Sequence, residues 1–170
     1  MKEAALNKIN ALDSEGATAV LLTCCGSRNW AELVASARPF SCAEALHNAA
    51  DVSFRDLSDG DWMEAFGAHP RIGDVEGLRK KYAQNAGWSG EEQCGVDGAQ
   101  ELVIQELAAL NQSYETRRGF IFIVCATGKS AAEMLEILRG RVENSTDEEI
   151  INAGIEQAKI THLRLEKLLL

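Results

Sequence analysis

The stretch that decides the fold class is Phe120-Ile121-Phe122-Ile123-Val124-Cys125, the one run of the chain with β-type composition. Aromatic and β-branched residues in succession favour an extended backbone. A single run cannot make a sheet by itself, because a strand needs a neighbour for its backbone hydrogen bonds. The sequence therefore predicts an all-α protein in which this run is buried between helices.

Four capping boxes around this run mark the starts of helices. In each, a serine or threonine stands three residues before a glutamate, so both side chains can satisfy free amides of the first helical turn. Apolar residues at helical spacing follow, and after the last box they extend over some six turns. The boxes are Ser41–Glu44, Ser89–Glu92, Ser130–Glu133 and Thr146–Glu149; the last is followed by Ile150, Ile151, Ile155, Ala158, Ile160, Leu163 and Leu165.

Shorter helices are predicted in the first seventy residues. Their apolar positions fall near Ala4–Leu12, Ala17–Cys24, Trp30–Ser36 and Asp61–Phe66. With 170 residues, the whole chain (1–170) is the size of one compact multi-helix domain. The helices of about residues 1–28 form its N-terminal part.

Composition excludes several classes of partner. Seventeen basic against 26 acidic residues give a net charge of −9, which leaves no basic surface for nucleic acid. The run at residues 120–126 is too short to cross a bilayer, and the N-terminus has no signal-peptide core. Five cysteines without Cys-x-x-Cys spacing indicate buried thiols in a reducing compartment. We expect a cytoplasmic protein, or a peroxisomal one if the chain comes from a eukaryotic fusion protein.

A glycine-containing turn, Ala126-Thr127-Gly128-Lys129-Ser130, follows the apolar run and opens a helix, as a phosphate-binding loop does. Such a loop needs a glycine at the position of Ile123, where a branched side chain would block the phosphate. The sequence therefore predicts no nucleotide site here, and Ser130 is interpreted as a helix cap.

The three histidines, His47, His69 and His162, lack the short spacing of metal ligands, so we expect no metal site. A metal-dependent hydrolase would require the fold to bring distant histidines together. His69 differs because Pro70 disfavours the α conformation before it, which places its ring where a helix ends. It either interacts with the helix dipole or supplies a proton near neutral pH.

Two further charged residues have both a structural and a functional interpretation. Glu92 completes a capping box, yet Ser89 to Gln93 also offers a hydroxyl, free amides, a carboxylate and an amide to a polar ring. Arg164 lies among leucines of the last helix, where an arginine usually extends its stem along the surface. It is also the natural partner for an anionic ligand in an acidic chain.

Five motifs in this order and spacing resemble the 2-oxo-4-hydroxy-4-carboxy-5-ureidoimidazoline (OHCU) decarboxylases, over Trp30 to about Leu168. The motifs are His69-Pro70, Ser89-x-x-Glu92-Gln93, Leu110-Asn111-x-x-Tyr114, Gly119 to Ala126 and Arg164-Leu165. The resemblance implies an all-helical fold, usually dimeric, that needs no cofactor. It implies conversion of the last unstable intermediate of urate oxidation into (S)-allantoin. The chain departs from the family at Arg71-Ile72 and at Ile121, positions that need not carry chemistry.

The resemblance also implies roles for individual residues. His69 would be the catalytic acid, with Glu92 as its carboxylate partner and Arg164 as a third catalytic residue. Substrate contacts would come from Pro70, Ser89, Gly90, Glu91, Glu92, Gln93, Phe122, Ile123, Val124, Cys125, Ala126 and Arg164. The alternative is a helical ligand-binding or scaffold protein that has this fold without turnover.

Overall fold

The computed structural model describes residues 2–69, 75–76, 78 and 93–170, with side chains of the last range from residue 100 onward. None of these residues lies in a β-strand, so the all-α prediction is confirmed. The helices are α1 (Lys2–Ala11), α2 (Ser14–Leu22), α3 (Arg28–Ser36), α4 (Ala43–Phe54), α5 (Asp59–Gly67), α6 (Gln93–Arg118), α7 (Ala131–Arg141) and α8 (Thr146–Leu168).

The apolar run after α6 is buried and lies outside the helices, as predicted. Gly119 ends α6 with a φ of 81°, a left-handed conformation that favours glycine. Its N–H donates to the carbonyl of Glu115 at 2.8 Å. Ile121 is half-buried, and the other residues from 120 to 125 are buried without strand pairing.

Of the four predicted capping boxes, one is confirmed, two are wrong and one lies outside the described residues, although helices begin at or within two residues of Ser41, Ser130 and Thr146. The Ser130 box is confirmed, because Ser130 and Glu133 bond reciprocally at the start of α7. The Ser41 box is wrong: α4 begins at Ala43 with Cys42 as N-cap and no side-chain cap bond. Glu44 is then the second helical residue and cannot complete a box, which needs the third. The Ser89 box lies outside the described residues.

The box predicted at Thr146 is also wrong, by one residue. Ser145 caps α8 and bonds reciprocally with Glu148, so Thr146 is the first helical residue. Glu149 is instead fully buried, where it contacts Tyr114 and Arg141. A box that was not predicted lies at Ser58 and Asp61, before α5, with aspartate in the place of the usual glutamate.

The described residues fall into two compact units. The first comprises residues 1–69, 123–125 and 150–170. In this unit, the aromatic rings of Trp30, Phe54, Trp62 and Phe66 form a row with centroids 5.4–5.8 Å apart, and Trp30 and Phe66 are fully buried. The turn between α2 and α3 approaches the end of α5 closely, since a Cβ on Gly26 would lie 2.2 Å from that of Ala68. Glycine at this position allows the end of α5 to pack where it does.

The second unit comprises residues 70–122 and 126–149, and α6 packs on α7 within it. Tyr114 is buried edge-on to the rings of Phe120 and Phe122, at 5.9 and 5.6 Å between centroids. Its hydroxyl donates to the buried carboxylate of Glu149 at 2.5 Å. Arg141 forms an ion pair with the same carboxylate at 2.7 Å, which gives this unit a charged pair in its core.

Burial along α8 differs from the apolar pattern of its sequence. Ile151, Ile155 and Leu163 are 63%, 52% and 41% exposed. The buried side chains are mostly small or polar and recur every four residues: Ala153, Gln157, Thr161 and Leu165. The helix therefore turns two hydrogen-bonding side chains into the core and several apolar ones toward the surface.

No helix in the described part of the chain has both the length and the apolar character that a bilayer crossing requires.

Candidate active site

His69 follows directly on the end of α5, at the position that its proline neighbour predicts. Its backbone N–H donates to the carbonyl of Phe66 at 3.2 Å, which continues the last turn of the helix. The side chain is half-buried. The close packing of Gly26 against Ala68 fixes the chain one residue before it.

The imidazole of His69 is held by a side chain of α8. Its Nε2 lies 2.6 Å from Oε1 of Gln157, whose side chain is fully buried. Burial lowers the pKa of His69 below its ordinary value; the bond to Gln157 opposes this, and the nearby charge of Arg164 adds to it. The ring is therefore mainly neutral at neutral pH until a negative charge arrives beside it.

Arg164 lies seven residues after Gln157 on the same face of α8. Its Nη1 donates to the carbonyl of Cys24 at 3.1 Å, and the side chain is half-buried. Burial raises the pKa of Cys24, and raises that of Cys25 to about 11, although Arg164 opposes both shifts. These two thiols stay protonated near neutral pH. Neither is therefore a thiolate that could pair with the guanidinium, which can bind an anionic ligand instead.

The predicted binding run is divided between the two units. Ile123, Val124 and Cys125 belong to the first unit, as do His69 and Arg164. The N–H of Cys125 donates to Oε2 of Glu156 at 2.7 Å. Phe122 and Ala126 belong to the second unit, where the ring of Phe122 lies 4.8 Å from the guanidinium of Arg141.

The remaining predicted site residues fall on the part of the chain that the structure leaves undescribed. Pro70, Ser89, Gly90, Glu91 and Glu92 lie outside the described residues. Gln93 is the first residue of α6, and its side chain also lies outside them. Of the three predicted catalytic residues, the structure places His69 and Arg164 in one unit; Glu92 stays a prediction.

The other two histidines, which are distant in sequence, meet between α4 and α8. Nδ1 of His47 lies 2.7 Å from Nδ1 of His162, and their outer nitrogens contact Glu166 and Asp51 at 2.9 and 2.7 Å. Each imidazole therefore has a carboxylate on one side and the other ring on the opposite side. Among the described residues, no three metal-type side chains are placed to share one ion.

Sequence reasoning missed Gln157 and Thr161. Gln157 Nε2 lies 3.2 Å from the Thr161 hydroxyl, which donates to the backbone carbonyl of Gln157 at 2.9 Å. Two polar residues four apart share the buried stripe of α8 with Ala153 and Leu165. The four-residue spacing of these side chains could have indicated a buried face. The isoleucines on the opposite face of the helix favoured the wrong face instead.

Comparison with known proteins agrees with the resemblance seen in the sequence. The model of the family described as OHCU decarboxylase matches residues 10–166. The chain is 38% identical over 147 residues to the uric acid degradation bifunctional protein TTL of Arabidopsis thaliana, covering 85% of this chain and 45% of the relative. It is 28% identical over 143 residues to an OHCU decarboxylase of Halalkalicoccus jeotgali, covering 83% and 74% of the two chains.

A solved structure gives the same result in three dimensions. A crystal structure of OHCU decarboxylase in the presence of (S)-allantoin superposes with a TM-score of 0.68 at 35% identity, over 93% of this chain and 99% of that one. The chain spans less than half the length of the Arabidopsis protein that it matches. The family model and this structure both extend over nearly the whole chain, and the chain belongs to the OHCU decarboxylase family.

Proposed function

We propose that this chain decarboxylates OHCU to (S)-allantoin without a cofactor, as the final step of urate-to-allantoin conversion. The observation that carries the proposal is a half-buried histidine at a helix end, with a cationic arginine close enough to lower its pKa. This pair stands in a chain of the OHCU decarboxylase family. The related protein that was crystallised in the presence of (S)-allantoin supports the choice of product.

The two residues supply what the reaction needs. Loss of CO2 leaves its bonding electron pair on the ring carbon, and the heterocycle can delocalise this charge. The enzyme must then hold the substrate, stabilise the developing charge and deliver a proton to one face. Arg164 would bind the substrate carboxylate or a carbonyl oxygen through its planar fork. That anion would raise the pKa of His69, which then protonates the carbanion.

Wild-type protein mixed with freshly generated OHCU tests the activity. The substrate decays without enzyme to racemic allantoin, so both the rate and the optical activity of the product are informative. We expect faster loss of substrate and a circular dichroism signal of (S)-allantoin. A non-catalytic binding protein would instead leave the decay rate unchanged and the product racemic, which would refute the proposal.

Replacing Arg164 with lysine is expected to lower kcat/KM at least ~10-fold, about 1.4 kcal/mol of transition-state binding. Lysine keeps the charge but loses the fork that can hold two oxygens at once. Steady-state kinetics with fresh substrate measure the effect. If Arg164 only extends along the surface toward Leu163 or Leu165, the lysine variant will match the wild type.

Glu92 is proposed as the carboxylate partner of the reaction rather than a helix cap alone. Glu92→Gln keeps a side chain that can complete a capping box but removes the charge. We expect a loss of about 10²-fold in kcat, the lower end of what general acid–base groups contribute. The far-ultraviolet circular dichroism should be unchanged. Full activity of this variant would leave Glu92 with a structural role only.

We also propose that the chain forms a homodimer. The support is the exposed apolar flank of α8, where Ile151, Ile155 and Leu163 meet solvent. Large apolar side chains grouped on one helix favour burial in a subunit interface. Sedimentation velocity should show a species of twice 18.5 kDa, and a monomer at micromolar concentration would contradict the proposal.

One domain and a cytoplasmic location complete the proposal, with the peroxisome in place of the cytoplasm for a eukaryotic fusion protein. A single family model spans residues 10–166 and so includes parts of both units. Among the cysteines in the described part of the chain, Cys24, Cys25 and Cys42 are free thiols. Free thiols favour a reducing compartment.

A further inference from the structure

We propose that Gln157 is a positioning residue that holds His69 in its Nε2–H tautomer, so that Nδ1 is the nitrogen that carries the transferable proton. Gln157 would thus orient the imidazole of the proposed catalytic acid. Its kinetic consequences rest on the proposed function, but the tautomer itself does not.

Thr161 fixes the orientation of the Gln157 amide, because a hydroxyl has one proton to donate. The Thr161 hydroxyl donates to the backbone carbonyl of Gln157 at 2.9 Å, one turn back along α8. The hydroxyl oxygen can then only accept, from the Gln157 side chain, which lies 3.2 Å away, and from the protonated thiol of Cys25 beside it. The NH2 group of the amide must therefore face Thr161, and both side chains are fully buried, where polar groups are paired within the protein.

The orientation of the amide decides the tautomer of the histidine. With its NH2 group directed at Thr161, Gln157 presents Oε1 to His69 at 2.6 Å. A carbonyl oxygen can only accept, so Nε2 of His69 must carry a hydrogen. A neutral imidazole has a single N–H, which leaves Nδ1 with the lone pair that takes up and releases the catalytic proton.

A neutral partner suits the electrostatics of this site. A carboxylate in the place of Gln157 would stabilise the imidazolium, whereas an amide fixes the tautomer and adds no charge. Among the described residues, Arg164 of α8 is the charged group that acts on His69, and it disfavours the imidazolium in the free protein. The ring thus becomes charged when an anionic substrate arrives, with Nδ1 as the position of the new proton.

Nitrogen-15 NMR of histidine-labelled wild-type protein tests the tautomer without substrate. At a pH where His69 is neutral, we expect a pyrrole-like Nε2 and a pyridine-like Nδ1. The resonances can be assigned by their loss in His69→Asn, since the chain has three histidines. The opposite pattern, a pyridine-like Nε2, would mean that the amide is turned the other way and would overturn the inference, whatever the activity of the protein.

Two variants test the consequence for catalysis. Gln157→Leu has similar volume but cannot accept the hydrogen, so we expect the tautomers to mix and kcat to fall ~10-fold or more, with little change in KM. Gln157→Glu restores an acceptor and adds charge, so it should recover the Nε2–H tautomer and shift the pH dependence of the rate to higher pH. Gln105→Leu, the same change on the exposed face of α6, is the matched control and should leave the rate unchanged.

The outcomes separate the two proposals. A wild-type protein with the expected NMR pattern but no decarboxylase activity would refute the proposed function and keep the tautomer. An active wild type whose kcat and pH profile survive Gln157→Leu would refute the positioning role. If the leucine variant does not fold, the wild-type spectrum and the glutamate variant still decide.

Discussion

Replacing His69 with asparagine is expected to lower the rate of enzymatic decarboxylation by about 10²- to 10⁴-fold, the range that a positioned acid–base group contributes. Asparagine keeps a polar side chain but lacks the Nε2 that lies 2.6 Å from Gln157, and it has no proton that titrates near neutral pH. The circular dichroism of the protein should be unchanged. Substrate decay and the optical activity of the allantoin report the loss, because the remaining reaction is spontaneous and racemic.

His47→Asn is the matched control for this change. It removes an imidazole that pairs with His162 and Glu166 and lies outside the proposed site. Its rate should equal that of the wild type. A His69→Asn variant with most of the wild-type rate would remove His69 from the mechanism, and comparable losses in both variants would indicate a general effect on the fold.

The pH dependence of the reaction tests the direction of proton transfer. Burial and the charge of Arg164 place the pKa of His69 below its ordinary value in the free protein. A proton donor is active in its acid form, so kcat/KM, which reports the free enzyme, should fall as pH rises through that lowered pKa. The fall of kcat should come at higher pH, because bound substrate adds a negative charge. A kcat/KM that rises over the same range would make His69 a base.

The helix starts show which part of the fold could be predicted locally. The Ser130 box is correct, since its bonds join residues three apart and need nothing from elsewhere in the chain. At the start of α8 two overlapping pairs fit the same spacing, Ser145 with Glu148 and Thr146 with Glu149. The first pair forms because Glu149 is required by Tyr114 and Arg141, which are distant in sequence. Tertiary contacts therefore decide which of two overlapping capping pairs forms, and with it the first residue of the helix.

The candidate site divides in the same way. A histidine before a proline and an arginine among leucines stand out in the sequence, and the structure places both in one unit. Gln157 does not stand out, because a glutamine on a helix is usually exposed. Its buried amide is paired with a histidine 88 residues away, which no local pattern of the sequence indicates. On α8 the apolar pattern favoured the face of Ile151 and Ile155, whereas the core side chains are the less apolar ones.

The largest expected effect on stability comes from the charged pair in the second unit. Glu149→Leu should destabilise the protein by about 3–5 kcal/mol, the usual cost of removing one partner of a buried ion pair. Glu149 is fully buried, and it accepts bonds from Tyr114, Arg141 and Asn144. Its loss removes the carboxylate that pairs with the guanidinium of Arg141, whose side chain is only 11% exposed. Urea unfolding with an unchanged m-value measures the difference.

A double variant separates the charge from the packing. Arg141→Met together with Glu149→Leu removes both charges, and apolar replacement of a whole buried pair is often nearly neutral. We therefore expect it to lose less than Glu149→Leu alone, about 1–3 kcal/mol, which is the cost of removing the acceptor of the Tyr114 hydroxyl and the Asn144 amide. Glu143→Leu removes an exposed carboxylate that pairs with Arg117 and should change stability by less than about 0.5 kcal/mol. The single variant Arg141→Met completes the comparison. If the stability lost by the double variant equals the sum of the losses of the two single variants, the two side chains act independently and the ion pair is not what stabilises this core.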